Sequence, residues 1–170
     1  MIDRAQFKLG LIINPIAGIG GETGLKGSDG KITIKKAFGL GAIKKSASKA
    51  EEALLPLKFL TEKFKLITCS GEMGQDSCNR IGIDVHRIIN VNSKNTSRED
   101  TINAVNKMIK DKVALILFCG GDGTACDVYS AINNKIPILG IPAGVKMHSS
   151  VFGTSPNAVG SILNRIILNH

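Results

Sequence analysis

Short apolar segments alternate with helical patterns along the chain, and this alternation is typical of an α/β fold. The segment 113–118 is apolar without interruption, as expected for a strand that is covered on both faces. Segments 9–13, 64–69, 84–91 and 136–141 are predicted to be strands as well. We therefore expect a three-layer α/β sandwich around a mostly parallel sheet.

Helical patterns separate the predicted strands. The segment that starts at Thr96 has the form of a capping box, with a carboxylate three residues later. Ser155 precedes a proline and marks another helix start. Pro56 is expected to kink the first helix or to end it near Leu55. The predicted helices span 46–62, 72–81, 96–110, 125–133 and 155 to nearly 170.

Length and composition indicate one globular domain over residues 1–170. The chain is 43% hydrophobic and 21% charged, which excludes disorder as its main state. A net charge of +8 favours anionic partners. Because the chain has no Trp and one Tyr, it lacks aromatic platforms for stacking bases, and no nucleic-acid partner is expected.

The cysteines and the hydropathy pattern indicate a cytoplasmic protein. Four cysteines without a C-x-x-C pair predict buried, reduced thiols. No apolar run approaches the roughly 18 residues of a membrane span, and Asp3 and Arg4 interrupt the N-terminal residues, so neither a membrane partner nor a signal peptide is expected. No His/Cys cluster has the spacing of a zinc site, and no residue is directly predicted to bind a metal.

The strongest local motif is the run Gly120-Gly-Asp-Gly-Thr124, which follows a buried strand and opens a helix. Ligands of open α/β sheets bind outside the carboxyl ends of the strands. Gly120, Gly121 and Gly123 allow a phosphate to approach the backbone, and the helix N-terminus attracts anions. Thr124 is expected either to cap this helix or to bond a phosphate oxygen.

Asp122 is the unusual member of this motif, because a carboxylate repels a phosphate. Its presence is explained if it binds a hydroxyl, acts as a base toward that hydroxyl, or binds through Mg²⁺. The structural alternative is that Asp122 only caps the helix. The motif lacks the Gly-Lys-Ser/Thr of a P-loop and the Gly-x-Gly-x-x-Gly of dinucleotide-binding folds.

Further candidates lie in two other loops. Lys26 lies in the glycine-rich segment 17–30, where a lysine can clamp a phosphate; the alternative is a solvated surface loop. Lys146 and His148 follow the last predicted strand, and they could neutralise phosphate charge and bond the acceptor or transfer a proton. Ser149 and Ser150 could bond phosphate or ribose oxygens. A solvated face is expected for lysines 31, 35, 36, 44, 45 and 49, and His86 is expected within a strand.

The motif after strand 113–118 resembles the signature of the superfamily of NAD kinases, diacylglycerol kinases and 6-phosphofructokinases. Two longer segments, Leu11–Gly30 and Pro137–Phe152, are similar to the ATP/polyphosphate-dependent NAD kinase-like branch and to its acetoin-catabolism protein X group. The resemblance spans residues 8 to about 165. It implies the nucleotide-binding N-terminal domain of a kinase that moves a phosphoryl group from ATP or polyphosphate, with Mg²⁺, to a ribose hydroxyl of NAD.

The resemblance also assigns roles to individual positions. Asp122 matches the aspartate that takes a proton from the ribose hydroxyl, and Gly121, Gly123 and Thr124 would lie near phosphates. Asn14, in the turn after the first strand, would lie near the nucleotide. A second, β-rich domain or subunit is expected to complete the enzyme, and the full-length protein is expected to be a homo-oligomer.

The sequence departs from ordinary NAD kinases after the last strand, where Pro142–His148 replaces an Asn-x-Gly-x-Leu-Gly-Phe stretch. This departure leaves the identity of the acceptor open, and the expected acceptor is NAD or a related nucleotide. Two alternatives stay open. One is a nucleotide-binding module or fragment that has no activity without a second domain. The other is a lipid kinase domain that acts on diacylglycerol-like acceptors.

Overall fold

The computed structural model describes residues 6–19, 31–92, 96–144 and 147–170. Its five strands are β1 (Phe7–Ile13), β2 (Phe64–Cys69), β3 (Arg87–Ile89), β4 (Leu115–Gly120) and β5 (Ile138–Pro142). They form one sheet in the order β3-β2-β1-β4-β5, and every pairing is parallel. The predicted parallel α/β architecture is confirmed.

Helices cover both faces of this sheet, because parallel neighbours need crossover connections. The α-helices are α1 (Lys31–Gly39), α2 (Ser46–Leu54), α3 (Gln75–Ile81), α4 (Arg98–Lys110), α5 (Asp122–Ile132) and α6 (Pro156–Leu168). Two 3₁₀-helices occupy Leu55–Lys63 and Gly71–Met73. In the described part of the chain, no helix combines the length and the apolar character that a membrane crossing requires.

The core has two halves, one on each face of the sheet. Side chains of successive strand residues point to opposite faces. Leu117 therefore packs with α2 and α6, whereas its neighbours Ile116 and Phe118 pack with α4 and α5. Since both faces are covered, all six residues of β4 are buried, and this explains the uninterrupted apolar run.

The structure corrects several predicted boundaries. The capping box belongs to Ser97 and Asp100, one residue later than predicted at Thr96, because the same pattern of side chains occurs in both registers. Gly74, with φ 150°, divides the helix predicted at 72–81 into a 3₁₀ turn and α3. Helix α2 ends at Leu54, as the proline after it required, and a 3₁₀-helix follows.

Further expectations were wrong. The third strand is limited to β3, because it pairs only with the last half of β2 at the sheet edge, and His86 is exposed just before it. Cys126 is exposed on α5, while the other three cysteines are buried and free as expected. The helix predicted at 125–133 begins at Asp122, and α1 was not predicted.

The strand order has one reversal. The chain passes from β1 to β2 and β3 on one side, and it then crosses to β4 and β5 on the other side. Connections therefore leave β1 and β4 toward opposite sides of the sheet, which opens a crevice between their carboxyl ends. A ligand site is therefore expected among the residues that follow β1 and β4.

Candidate functional site

Asn14 joins the two sides of this crevice. Its backbone N–H donates to the carbonyl of Cys119 over 2.9 Å and continues the β1–β4 pairing past the last residue of β1. Its side-chain Nδ2 donates to Oγ1 of Thr124 at 2.9 Å, and its Oδ1 accepts the N–H of Ile16 at 3.1 Å. The half-buried Asn14 side chain thus holds the turn after β1 against the first turn of α5.

The run 120–124 forms the last residue of β4 and the start of α5. Gly121 is the N-cap in an extended conformation, without a side-chain cap, and Asp122 is the first helical residue. The structural alternative for Asp122 as the cap residue is therefore wrong. The first N–H groups of a helix have no acceptor within the helix, and together with the helix dipole they favour an anion.

The three glycines of this run differ in their surroundings. A Cβ on Gly120 would lie 2.5 Å from Cβ of Thr124, so the close approach of Thr124 requires glycine there. A Cβ on Gly121 or Gly123 would meet no described atom within 4 Å. Packing within the described part of the chain therefore explains Gly120, whereas no described residue accounts for glycine at positions 121 and 123.

Asp122 binds the segment that follows β5. Its Oδ2 accepts the N–H of His148 at 2.9 Å, and its Oδ1 accepts the N–H of Ser149 at 3.0 Å and the Ser149 hydroxyl at 2.7 Å. These bonds, led by the Ser149 hydroxyl, lower the pKa of Asp122 below its usual range. The carboxylate is therefore ionised at neutral pH and already holds a hydroxyl.

Ala143 connects the segment after β5 to the rest of the crevice. Its N–H donates to the carbonyl of Gly120 over 3.0 Å. Its carbonyl lies against Gly18, where φ is +81° and where a Cβ would collide with that oxygen. The turns after β1, β4 and β5 thus meet at one residue.

Helix α2 supplies two residues that the sequence analysis did not select. Ser46 donates its hydroxyl to the carbonyl of Ala17 at 3.0 Å, and its own carbonyl lies 3.2 Å from the buried thiol of Cys119. Lys49 is half-buried and donates Nζ to the carbonyl of Ala143 at 3.2 Å, so its placement on a solvated face was wrong. Lys49 lies three residues after Ser46 and four before the buried Ala53, and this helical spacing could have grouped both residues with the buried face of α2.

The structure brings most of the predicted site residues together. Thr124 is buried and accepts from Asn14, so it neither caps α5 nor presents its hydroxyl to solvent. Ser149 is half-buried, and His148 and Ser150 are exposed. Lys26 and Lys146 lie outside the described residues, and their predicted contacts with phosphate stay predictions. The other lysines predicted to be solvated are exposed at 35, 36, 44 and 45.

The described residues contain no group of three or more His, Cys, Asp or Glu side chains that could hold a metal ion. Asp122 contributes a single carboxylate, and both of its oxygens already accept hydrogen bonds. The described residues therefore build no metal site of their own. A Mg²⁺ ion carried on the phosphates of a nucleotide would meet this one carboxylate, and its presence stays a prediction.

The comparison with protein families identifies one family over nearly the whole chain. Residues 9–170 match the family described as the ATP-NAD kinase N-terminal domain. This match includes the turn after β1, the run 120–124 and the segment that binds Asp122. No curated protein matches the sequence.

Among solved structures, the chain is similar to a candidate diacylglycerol kinase from Bacillus anthracis str. Sterne, with 18% identity and a TM-score of 0.50. That alignment covers 98% of this chain and 43% of the other, and it shows a shared fold. The UDP-GlcNAc 2-epimerase of Neisseria meningitidis aligns with 15% identity and a TM-score of 0.47, over 95% of this chain and 39% of the other. The chain thus spans less than half the length of both proteins.

Proposed function

The chain belongs to the ATP-NAD kinase N-terminal domain family, and on that premise we propose that it carries the phosphoryl-transfer half of a kinase site. The donor in this proposal is ATP or polyphosphate. The acceptor is a ribose hydroxyl of NAD or a related nucleotide, and the product with NAD is NADP. Family membership supports a kinase-like domain. The identities of the donor and of the acceptor are proposed in addition to that.

The observation that carries the proposal is the hydrogen bond between the Ser149 hydroxyl and Asp122, at 2.7 Å. It shows that a hydroxyl fits against this carboxylate at the first residue of α5. A general base must lie within hydrogen-bond reach of the proton that it removes. In this proposal an acceptor hydroxyl on Asp122 lies next to a donor phosphate at the N-terminus of α5.

The chain's own groups then have separate tasks. Asp122 accepts the proton of the acceptor hydroxyl while that oxygen attacks the terminal phosphorus of the donor. The first N–H groups of α5 face the phosphate, and Gly121 and Gly123 leave room for it. Mg²⁺ supplies neutralisation of charge on the phosphates. Asn14 holds Thr124 and so keeps the helix start in place. Lys26, Lys146 and His148 are proposed to contact phosphate or acceptor.

A nucleotide-binding module without activity of its own is the second candidate. It is supported by the match to an N-terminal domain and by the coverage of only 43% of the kinase-like neighbour. In this case the site described above binds phosphates, and a second domain or subunit completes the acceptor site. The lipid-kinase alternative is supported only by the fold that the chain shares with the candidate diacylglycerol kinase.

Calorimetric titration of the chain with NAD, ATP and tripolyphosphate, each with Mg²⁺, tests the proposal. We expect at least one of these ligands to bind, and we expect Asp122→Asn to change its affinity. Asp84→Asn is the matched control, because Asp84 is exposed and lies beside the start of β2, at the amino ends of the strands and away from the crevice at their carboxyl ends. Mixtures of each variant with NAD and either Mg-ATP or Mg-tripolyphosphate are then assayed for NADP, without and with an added C-terminal domain of the family.

The outcomes separate the candidates. NADP formation that Asp122→Asn abolishes supports the kinase, and binding without turnover supports the module. No binding of any ligand at millimolar concentration contradicts both candidates. If Asp122→Asn and Asp84→Asn change the ligand affinity equally, Asp122 does not contact the ligand.

A further inference from the structure

Ser149 and Asp122 have the arrangement of a nucleophile and its base. The Ser149 hydroxyl is 2.7 Å from Oδ1 of Asp122. The carboxylate is held in place by the N–H groups of His148 and Ser149, so its direction does not depend on the hydroxyl alone. A side-chain hydroxyl within hydrogen-bond reach of an oriented base is the general signature of an activated nucleophile.

We propose that Ser149 is itself a phosphoryl acceptor, and that the chain phosphorylates this residue with a nucleoside triphosphate or polyphosphate. The inference rests on the proposed function, since it uses the same donor position at the start of α5. It differs in the acceptor, which is a residue of the protein instead of a nucleotide.

The step balances without any further reactant. Asp122 takes the hydroxyl proton of Ser149, and Oγ forms a bond to the terminal phosphorus of the donor. The bond between that phosphorus and its bridging oxygen breaks, and the electron pair leaves with the nucleoside diphosphate or the shortened polyphosphate. A donor phosphate on the first N–H groups of α5 is adjacent to Asp122, because Asp122 is the first residue of that helix.

The neighbouring hydroxyls do not share this geometry. Thr124 is buried and its oxygen is engaged by Asn14. Ser150 is exposed, and no described hydrogen bond joins it to Asp122. Ser149 is therefore the hydroxyl near α5 that combines partial exposure with a base, within the part of the chain that the structure describes. Ser150 serves as a matched control because it is the adjacent residue of the same type.

The test incubates the full 170-residue chain with Mg-ATP or, separately, Mg-tripolyphosphate, and locates phosphate by peptide mass spectrometry. We expect phosphate on Ser149 in the wild type and in Ser150→Ala, and none at position 149 in Ser149→Ala. Asp122→Asn should slow the modification by about a hundredfold or more, the usual effect of losing a general base. Ser149→Thr keeps a hydroxyl and should carry the phosphate on threonine.

Two results would overturn the inference: a wild-type chain without phosphate on Ser149 under either donor, or a modification rate that Asp122→Asn leaves unchanged. Thermal melting tests whether each variant is folded. If Asp122→Asn does not fold, the transfer of phosphate to threonine in Ser149→Thr decides the test instead. NADP is measured in parallel mixtures to which NAD and a C-terminal domain of the family are added. NADP without phosphoserine contradicts this inference and leaves the proposed function standing, whereas phosphoserine without NADP supports the inference and contradicts the proposed acceptor.

Discussion

The side-chain amide of Asn14 donates to the hydroxyl of Thr124 across the point where the strand order reverses, at 2.9 Å. Asn14 follows β1 and Thr124 lies in the first turn of α5, and 110 positions of sequence separate them. The bond joins the turn after β1 to the first turn of the helix that begins at Asp122. It also means that the conformation of the signature run depends on a residue outside that run.

Replacement of Thr124 by valine tests this bond. Valine has the same shape but no acceptor, so Nδ2 of Asn14 loses its partner, and we expect a loss of about 1 kcal/mol in the free energy of unfolding. Thr124→Ser keeps the hydroxyl and is the control. Urea denaturation measures both variants, and a Thr124→Val protein as stable as Thr124→Ser would show that the bond contributes nothing.

Gly120 and Gly121 should respond differently to alanine. A Cβ on Gly120 would lie 2.5 Å from Cβ of Thr124, so Gly120→Ala should lower stability by about 1–3 kcal/mol through overpacking. A Cβ on Gly121 meets no described atom, so Gly121→Ala should melt close to the wild type and weaken nucleotide binding instead. Equal melting temperatures for the two variants would contradict the assignment of Gly120 to packing.

The pKa of Asp122 should follow the Ser149 hydroxyl, which is the largest cause of its lowering. Ser149→Ala should raise this pKa toward its usual range, and Ser150→Ala should leave it unchanged. NMR titration of the Asp122 carboxyl carbon measures the shift. An unchanged pKa in Ser149→Ala would assign the lowering to the backbone N–H groups of residues 148 and 149.

The sign of the related stability effect follows from linkage. The folded-state pKa of Asp122 is below the unfolded value, so its stabilisation is complete above the unfolded pKa and is lost as pH falls through the folded pKa. Ser149→Ala should therefore lose less free energy of unfolding than Ser150→Ala as the pH falls from neutral through the acid range, because the pKa of its Asp122 is lowered less. Urea denaturation at a series of pH values measures both losses, and equal losses in the two variants would contradict this prediction.

Lys49 should hold the segment after β5 in place. Its Nζ donates to the carbonyl of Ala143, whose N–H donates to Gly120. Lys49→Met should therefore increase hydrogen exchange at the N–H of Ala143, and Lys110→Met, on the exposed side of α4, should not. Exchange that is the same in both variants would mean that Lys49 does not restrain this segment.

The cysteines should differ sharply in reactivity at pH 8. Burial raises the pKa of Cys69, Cys78 and Cys119 to about 12, so these thiols are protonated and shielded. Cys126 is exposed and should react with iodoacetamide in the folded protein. Peptide mass spectrometry should find label at Cys126 first. Rapid labelling of Cys119 would show that the crevice opens down to the end of β4.

The local pattern of residues was sufficient for most of the architecture. The apolar run before Gly120 indicated a strand buried on both faces, and Pro56 correctly marked the end of α2. These predictions succeeded because periodicity and backbone restriction act within a few residues. The capping box was placed one residue early, since Thr96 and Ser97 offer the same chemistry to neighbouring registers.

The glycine-aspartate run, its position after a strand and the family to which it pointed were all determined by the sequence alone. Its partners were decided by the tertiary structure. Asn14, Lys49 and Ser149 come from three distant segments, and only the strand order places those segments around one crevice. The physical reason is that hydrogen bonds between side chains and loops depend on distances that packing of the whole sheet sets, and local pattern does not contain those distances.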